Sequence, residues 1–216
     1  MERSAVARVR LTREAREKLI VEGAIRFFAE AGFGGQTREL ARQLGMSQSL
    51  LFKYFPTKDA LIDRVYRDVY ISRWNPYWEV LMLNDKLSLR ERLLQFYSEY
   101  AKKIMDYEWI RIFLHAGLLG SEINKLYLTL LKTRIIYKIC HALRAEAGLP
   151  AVPDEQLDER ELQCVWALQG SILYLAIQKH VYHNLPEVGL DAIIADRIDM
   201  FLDGAVASFR AHQPQS

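Results

Sequence analysis

The chain holds 216 residues, 50% of them hydrophobic and 26% charged, with a formal net charge of +2. This balance excludes a disordered or collagen-like chain and suits a globular protein with a sizeable core, organised as two regions in one compact body. Apolar runs such as Ile172 to Ile177 stop far short of the ~20 residues that cross a bilayer, and the basic N-terminus lacks the apolar stretch of a secretory signal, so a cytoplasmic location is expected.

Charge is unevenly shared. Residues 1 to 67 hold 13 Lys or Arg against 8 Asp or Glu, a net of +5, and residues 68 to 216 hold 16 against 19, a net of −3, which together make the +2. Such an imbalance is either chance on a solvated surface or an electrostatic footprint for phosphates. Cys140 and Cys164 lack CxxC spacing and fall in helical patterns, so core thiols are expected, with no disulfide, metal site or cofactor.

Apolar spacing is helical nearly throughout. From Leu11 to Ala31 the set Leu19, Ile20, Ala24, Phe27, Phe28 and Ala31 recurs at three and four residues, and Gly32 stops the helix. Two short helices follow, about Thr37 to Leu44 and Ser47 to Phe55; Pro56 breaks the chain, and Thr57 is placed to cap a helix from Lys58 to about Trp74. Ser88 and Glu91 form a capping box for a helix reaching about Met105, and a short aromatic-rich helix is expected over Trp109 to Leu118. Gly120 and Ser121 open a long helix to Ala147. Asp158 and Glu161 are a second cap pair, opening a helix that reaches His183, and the last helix runs from Leu190 to Arg210. The expected fold is all-α with about nine helices, divided into an N-terminal domain over 1–65 and a helical domain over 66–216.

The segment from Gln36 to Leu61 carries the chemistry. Leu40, Ala41 and Leu44 make the inner stripe of the first short helix, Gly45 supplies the positive backbone angle of the turn, and Ser47 caps the second helix, on which Leu51 and Phe55 face inward. Gln48, Ser49, Leu50, Lys53 and Tyr54 are left outside. Gln pairs with adenine, Ser bonds several base edges and Leu lies against a thymine methyl, while Lys53, Tyr54 and Lys58 can reach phosphates. Arg38 could reach a guanine edge or a phosphate, and the arm bearing Arg3, Arg8 and Arg10 could track the backbone or minor groove.

The pattern T-R-E-L-A-x-x-L-G-M-S-x-x-x-L-F-x-Y-F-x-x-K-x-x-L resembles the signature of the TetR family of bacterial transcriptional regulators. The resemblance implies a helix-turn-helix protein, with Thr37, Tyr54 and Lys58 as backbone contacts and Arg38, Gln48, Ser49 and Leu50 as base readers. It further implies a homodimeric repressor on a near-palindromic DNA operator, released by a small-molecule effector bound in the larger domain. Phe52 stands where the family commonly has Tyr, and Gln36 where a Ser or Thr often caps the helix.

In the larger domain two apolar stripes, Leu162, Val165, Ile172 and Leu173 on one helix and Ile194, Ile198 and Phe201 on the other, suit a two-fold four-helix interface or an internal core. Candidate effector contacts are Trp78, Trp109, Phe113, Tyr137 and Trp166, with Arg111, His115, His141 and Gln169 as polar anchors, although aromatics at helical spacing also build cores. His180 and His183 could face a metal or an acid, or sit on a solvated helix end. No G-x-S-x-G, P-loop, H-E-x-x-H or dinucleotide fingerprint occurs, so an enzyme is not expected. The competing reading is a constitutive DNA-binding protein without an effector.

Overall fold

The computed structural model describes residues 11–120 and 122–211. The arm with Arg3, Arg8 and Arg10, and the helix-opening Ser121, lie outside the described residues. Helix α1 (Arg13–Ala31) starts where the Thr12 hydroxyl accepts from the Ala15 N–H at 3.2 Å, and stops at Gly32, whose φ of +66° suits a residue without Cβ. Its inner face, Ile20, Val21, Ala24, Phe27 and Phe28, is buried. Gly23 sits on that face under Leu44, where an added Cβ would lie 2.3 Å from Leu44 Cδ2. Close approach of the first two helices therefore depends on this glycine.

Two helices of seven residues follow, α2 (Thr37–Gln43) and α3 (Gln48–Tyr54). Helix α4 (Lys58–Tyr66) opens on the Thr57 hydroxyl, which accepts from the Ala60 N–H at 3.0 Å, and continues as a π-helical stretch, Arg67–Ile71. The N-terminal region is thus joined to the rest by one uninterrupted rod.

The body comprises α5 (Tyr77–Met82), α6 (Leu89–Ile104), α7 (Tyr107–Leu118), α8 (Glu122–Leu131), α9 (Tyr137–Glu146), α10 (Glu159–His180) and α11 (Leu190–Ala211). A second π stretch, Lys132–Ile136, fuses α8 to α9, so eleven α-helical segments form ten continuous helices among the described residues. The tenth is α5, absent from the sequence reading because Asn75 and Pro76 look like a break. The Asn75 side chain instead caps the turn, accepting from the Tyr77 N–H at 3.0 Å, and Trp78, Leu81 and Met82 bury the inner face.

Four long helices, α6, α9, α10 and α11, pack together, and the first region docks on them through α1 against α7. Arg111 Nε donates to the Ala29 carbonyl at 2.6 Å, and the Tyr107 hydroxyl donates to Glu30 at 2.6 Å. The Ser88–Glu91 capping box forms as read, with the Glu91 carboxylate held below its usual range by the hydrogen bonds of Ser88.

Two expectations need correction. Asp158 caps α10 through the Arg160 N–H, but Glu161 is fully buried and accepts from Arg144, which also donates to the Pro150 carbonyl. A carboxylate in that environment needs a cationic partner more than a helix end needs a second cap. Likewise Leu162, Val165, Ile172, Ile194 and Ile198 are buried inside the single chain, where they pack in its own core. Helices α10 and α11 have apolar residues on more than one face, and the most hydrophobic stripe went to the intramolecular neighbours. Leu173 and Phe201 are only half-buried.

Candidate nucleic-acid interface

Local chemistry builds the turn between α2 and α3. Gly45 adopts φ +63°, its N–H donates to the Arg42 carbonyl at 3.1 Å, and the Met46 N–H closes on Ala41 at 3.0 Å. The Ser47 hydroxyl then accepts from the Leu50 N–H at 3.2 Å and starts α3. Leu40, Ala41, Leu51 and Phe55 are buried, which fixes both helices on α1 and leaves the opposite face of α3 to solvent.

On that face Arg38, Ser47, Ser49 and Lys53 are exposed, while Thr37, Gln48, Leu50, Tyr54 and Lys58 are half-buried. Several already have partners within the chain. Gln48 Nε2 donates to Thr37 Oγ1 at 3.0 Å, the Ser47 and Ser49 hydroxyls lie 3.0 Å apart, and the Lys58 ammonium donates to the Phe33 carbonyl. Arg13 sits 6.0 Å from the Tyr54 ring centroid, near enough for cation–π attraction. Gln36 forms no side-chain cap, so α2 begins uncapped, and Thr37 as its first residue binds Gln48 instead.

Electrostatics separates the basic residues into two sets. Glu39 accepts from Arg42 Nη2 at 2.6 Å and from Arg42 Nε at 2.9 Å; these bonds, with one from Gln43, hold its carboxyl down at about 2. Arg42 is thereby committed. Arg38 and Lys53 have no ion-pair partner among the described residues, so their charge faces outward uncompensated. Arg38, Gln48 and Arg42 line one shallow depression of about 460 Å³. Sequence reasoning passed over Arg42, although its spacing of three from Glu39 signalled the pair.

Residues 20–65 match the family model described as bacterial regulatory proteins, tetR family. The chain carries a TetR-family DNA-binding head. The whole fold also superposes on solved TetR-like proteins. One is a TetR-like transcriptional regulator from Rhodococcus sp. RHA1, at 18% identity, 92% of this chain and 99% of that one, with a TM-score of 0.64. A TetR family transcriptional regulator from Thermus thermophilus has 17% identity, 85% and 97% coverage and a TM-score of 0.60. A third, from Streptomyces coelicolor, has 14% identity, 94% and 92% coverage and a TM-score of 0.58. Beyond the matched head, the likeness of the whole chain to these structures is one of fold.

The effector candidates fall into two groups. Trp78, Trp109, Phe113 and Gln169 are buried in one aromatic cluster, tied through tyrosines that the sequence reading did not single out. The Trp109 and Phe113 rings stack at 5.1 Å, Tyr127 lies 5.6 Å from Trp109, and its hydroxyl donates to Tyr100 at 3.3 Å. Gln169 Nε2 donates to the same Tyr100 oxygen at 2.9 Å, and burial pushes the Tyr100 hydroxyl up to about 12. The others lie elsewhere. Arg111 and His115 serve the contact with α1, His141 pairs with Asp154 at 2.7 Å, Tyr137 lies beside Lys132, and Trp166 is half-buried on α10. His180 bonds the Met105 carbonyl at 2.7 Å, and α10 ends there, before His183.

Proposed function

We propose that this regulator is a homodimeric repressor of a near-palindromic operator, with α3 of each copy in successive major grooves about 34–36 Å apart. The observation that carries the reading is the pair of uncompensated, exposed cations, Arg38 and Lys53, on a helix pair locked by Gly45 and the Ser47 cap. Lys53, Tyr54 and Lys58 dock on phosphates; Arg38, Gln48, Ser49 and Leu50 read bases once the Gln48–Thr37 and Lys58–Phe33 bonds open. The division at residue 65 makes α4 the lever between head and body.

The dimer surface is the outward face of α10 and α11, where Ala167, Gly170, Met200, Gly204 and Ala207 are exposed beside Leu173 and Phe201. Small residues there let two copies approach closely, and Met200, 76% exposed, supplies apolar area. Sedimentation tests this: the native chain should run as a dimer and Gly170→Glu as a monomer.

An effector in the body is supported by the cluster around Tyr100. The Tyr97 hydroxyl and Gln169 Oε1 are buried without partners, and such groups each cost about 1–3 kcal/mol unless something satisfies them. The tight packing of the same cluster favours a second reading, constitutive binding with no effector. Operator selection from random DNA, repeated with small-molecule panels, separates the two: a compound that releases a selected sequence supports the first, and sequence-indifferent binding that no compound changes supports the second.

A further inference from the structure

Helix α7 sends one row of side chains to the end of α1. Tyr107, Arg111 and His115 are spaced by four, which puts them on one face of α7, one turn above another. Each meets a different point of the same helix end. The Tyr107 hydroxyl donates to Glu30 at 2.6 Å, Arg111 Nε donates to the Ala29 carbonyl at 2.6 Å, and a Cβ added at Gly32 would meet the His115 ring at 3.0 Å.

Electrostatics accounts for the row. The last turn of α1 holds no basic residue and carries Glu30 instead, which adds negative charge where the helix dipole is already negative. Arg111 supplies the missing cation from another helix, its guanidinium 5.3 Å from the Tyr107 ring centroid. The bond to Glu30 in turn pushes the Tyr107 hydroxyl up, so it stays a donor.

The row is also anchored to α10. The His180 ring meets the Tyr107 ring edge-on at 5.6 Å, and His180 Nε2 bonds the Met105 carbonyl at 2.7 Å. His180 is the last residue of α10, so Tyr107 touches the end of that helix and the end of α1 at once.

We propose that Tyr107 and Arg111 are positioning residues that set which half-site spacing the protein accepts on DNA, an inference that rests on the two-fold operator reading. Gly32 opens the turn into α2, so whatever fixes the end of α1 fixes where α3 points. Helix α4 ties head to body along one line of chain, and the row adds a second tie that runs to α10, on the proposed dimer surface. One further base pair between half-sites moves the second site by ~3.4 Å and turns it by roughly 34°. A head held at two points cannot follow that displacement, and a loosened one can.

Two measurements on the full chain test this. The first is operator affinity on a ladder of sites whose half-sites are shifted one base pair at a time, for the native protein, Arg111→Ala, Arg111→Lys and Tyr107→Phe. The native chain should favour one spacing over its neighbours by about tenfold, Arg111→Ala should cut that to about threefold or less with the half-site sequence unchanged, and Arg111→Lys should restore most of it. The second is amide hydrogen exchange without DNA: the Gly32 and Gly35 N–H groups, bonded to the Phe28 and Gly32 carbonyls, should exchange about tenfold faster in Arg111→Ala while α6 and α9 keep native rates. If Arg111→Ala loosens α6 and α9 as well, Tyr107→Phe decides, and a spacing preference that it leaves intact overturns the proposal. So does affinity lost equally at every spacing, or unchanged exchange at Gly32. A native chain indifferent to spacing would overturn the two-fold reading and this one with it, whereas a native preference that Arg111→Ala retains overturns this one alone.

Discussion

The head and the body of this molecule are held together by different forces. In the head, seven-residue helices are too short to persist alone, so a cap, a turn glycine and a few buried side chains place them on α1. In the body, long helices are tied by buried polar pairs distant in sequence, Arg144 to Glu161 and Tyr100 to Gln169. The consequence is a division of labour. Recognition residues of the head can be altered with little loss of stability, whereas the polar ties of the body cannot.

The sharpest way to break that contrast is Arg144→Ala. It leaves Glu161 charged and unpaired in the interior, which should lower unfolding free energy by about 3–5 kcal/mol in urea titration. The double change Arg144→Met/Glu161→Leu should recover most of the loss; if it does not, the pair contributes more than charge compensation. Next in size is Arg38→Ala, expected to weaken operator binding by about 1–3 kcal/mol with an unchanged urea midpoint. A fall in both would mean that the head does not separate recognition from stability.

A smaller effect is expected at Ser47→Ala, where loss of the cap should cost about 1 kcal/mol of stability and, through α3, some DNA affinity. The smallest concerns reactivity alone. Burial pushes the Cys140 thiol up to about 12, and it is fully enclosed, so at pH 8 it should resist a thiol reagent that reaches half-buried Cys164 first. Equal labelling of the two in folded protein would show that the body opens more readily than its packing implies.

The same contrast explains what could be read from the sequence. Gly45, Ser47, Thr57 and the Ser88–Glu91 box act on neighbours within four residues, so their types and spacing sufficed to find the turn, the caps and the helix starts. The face assignments of α10 and α11 depend on what lies across space, and periodicity cannot say whether Val165 or Ile198 meets its own chain or another copy. Glu161 misled for a related reason: its spacing from Asp158 fits a cap, and only the distant Arg144 turned it inward. The π stretches at Arg67–Ile71 and Lys132–Ile136 leave no composition cue at all.

The exposed, unpaired cations of the head are the groups proposed to bind operator DNA. The most direct measurement is the salt dependence of operator affinity in the native protein and in Lys53→Ala. Binding should be tight and sequence-selective, and its slope against the logarithm of salt concentration should become shallower by about 0.9 per chain when Lys53 is removed. An unchanged affinity and slope in that variant would contradict the assignment.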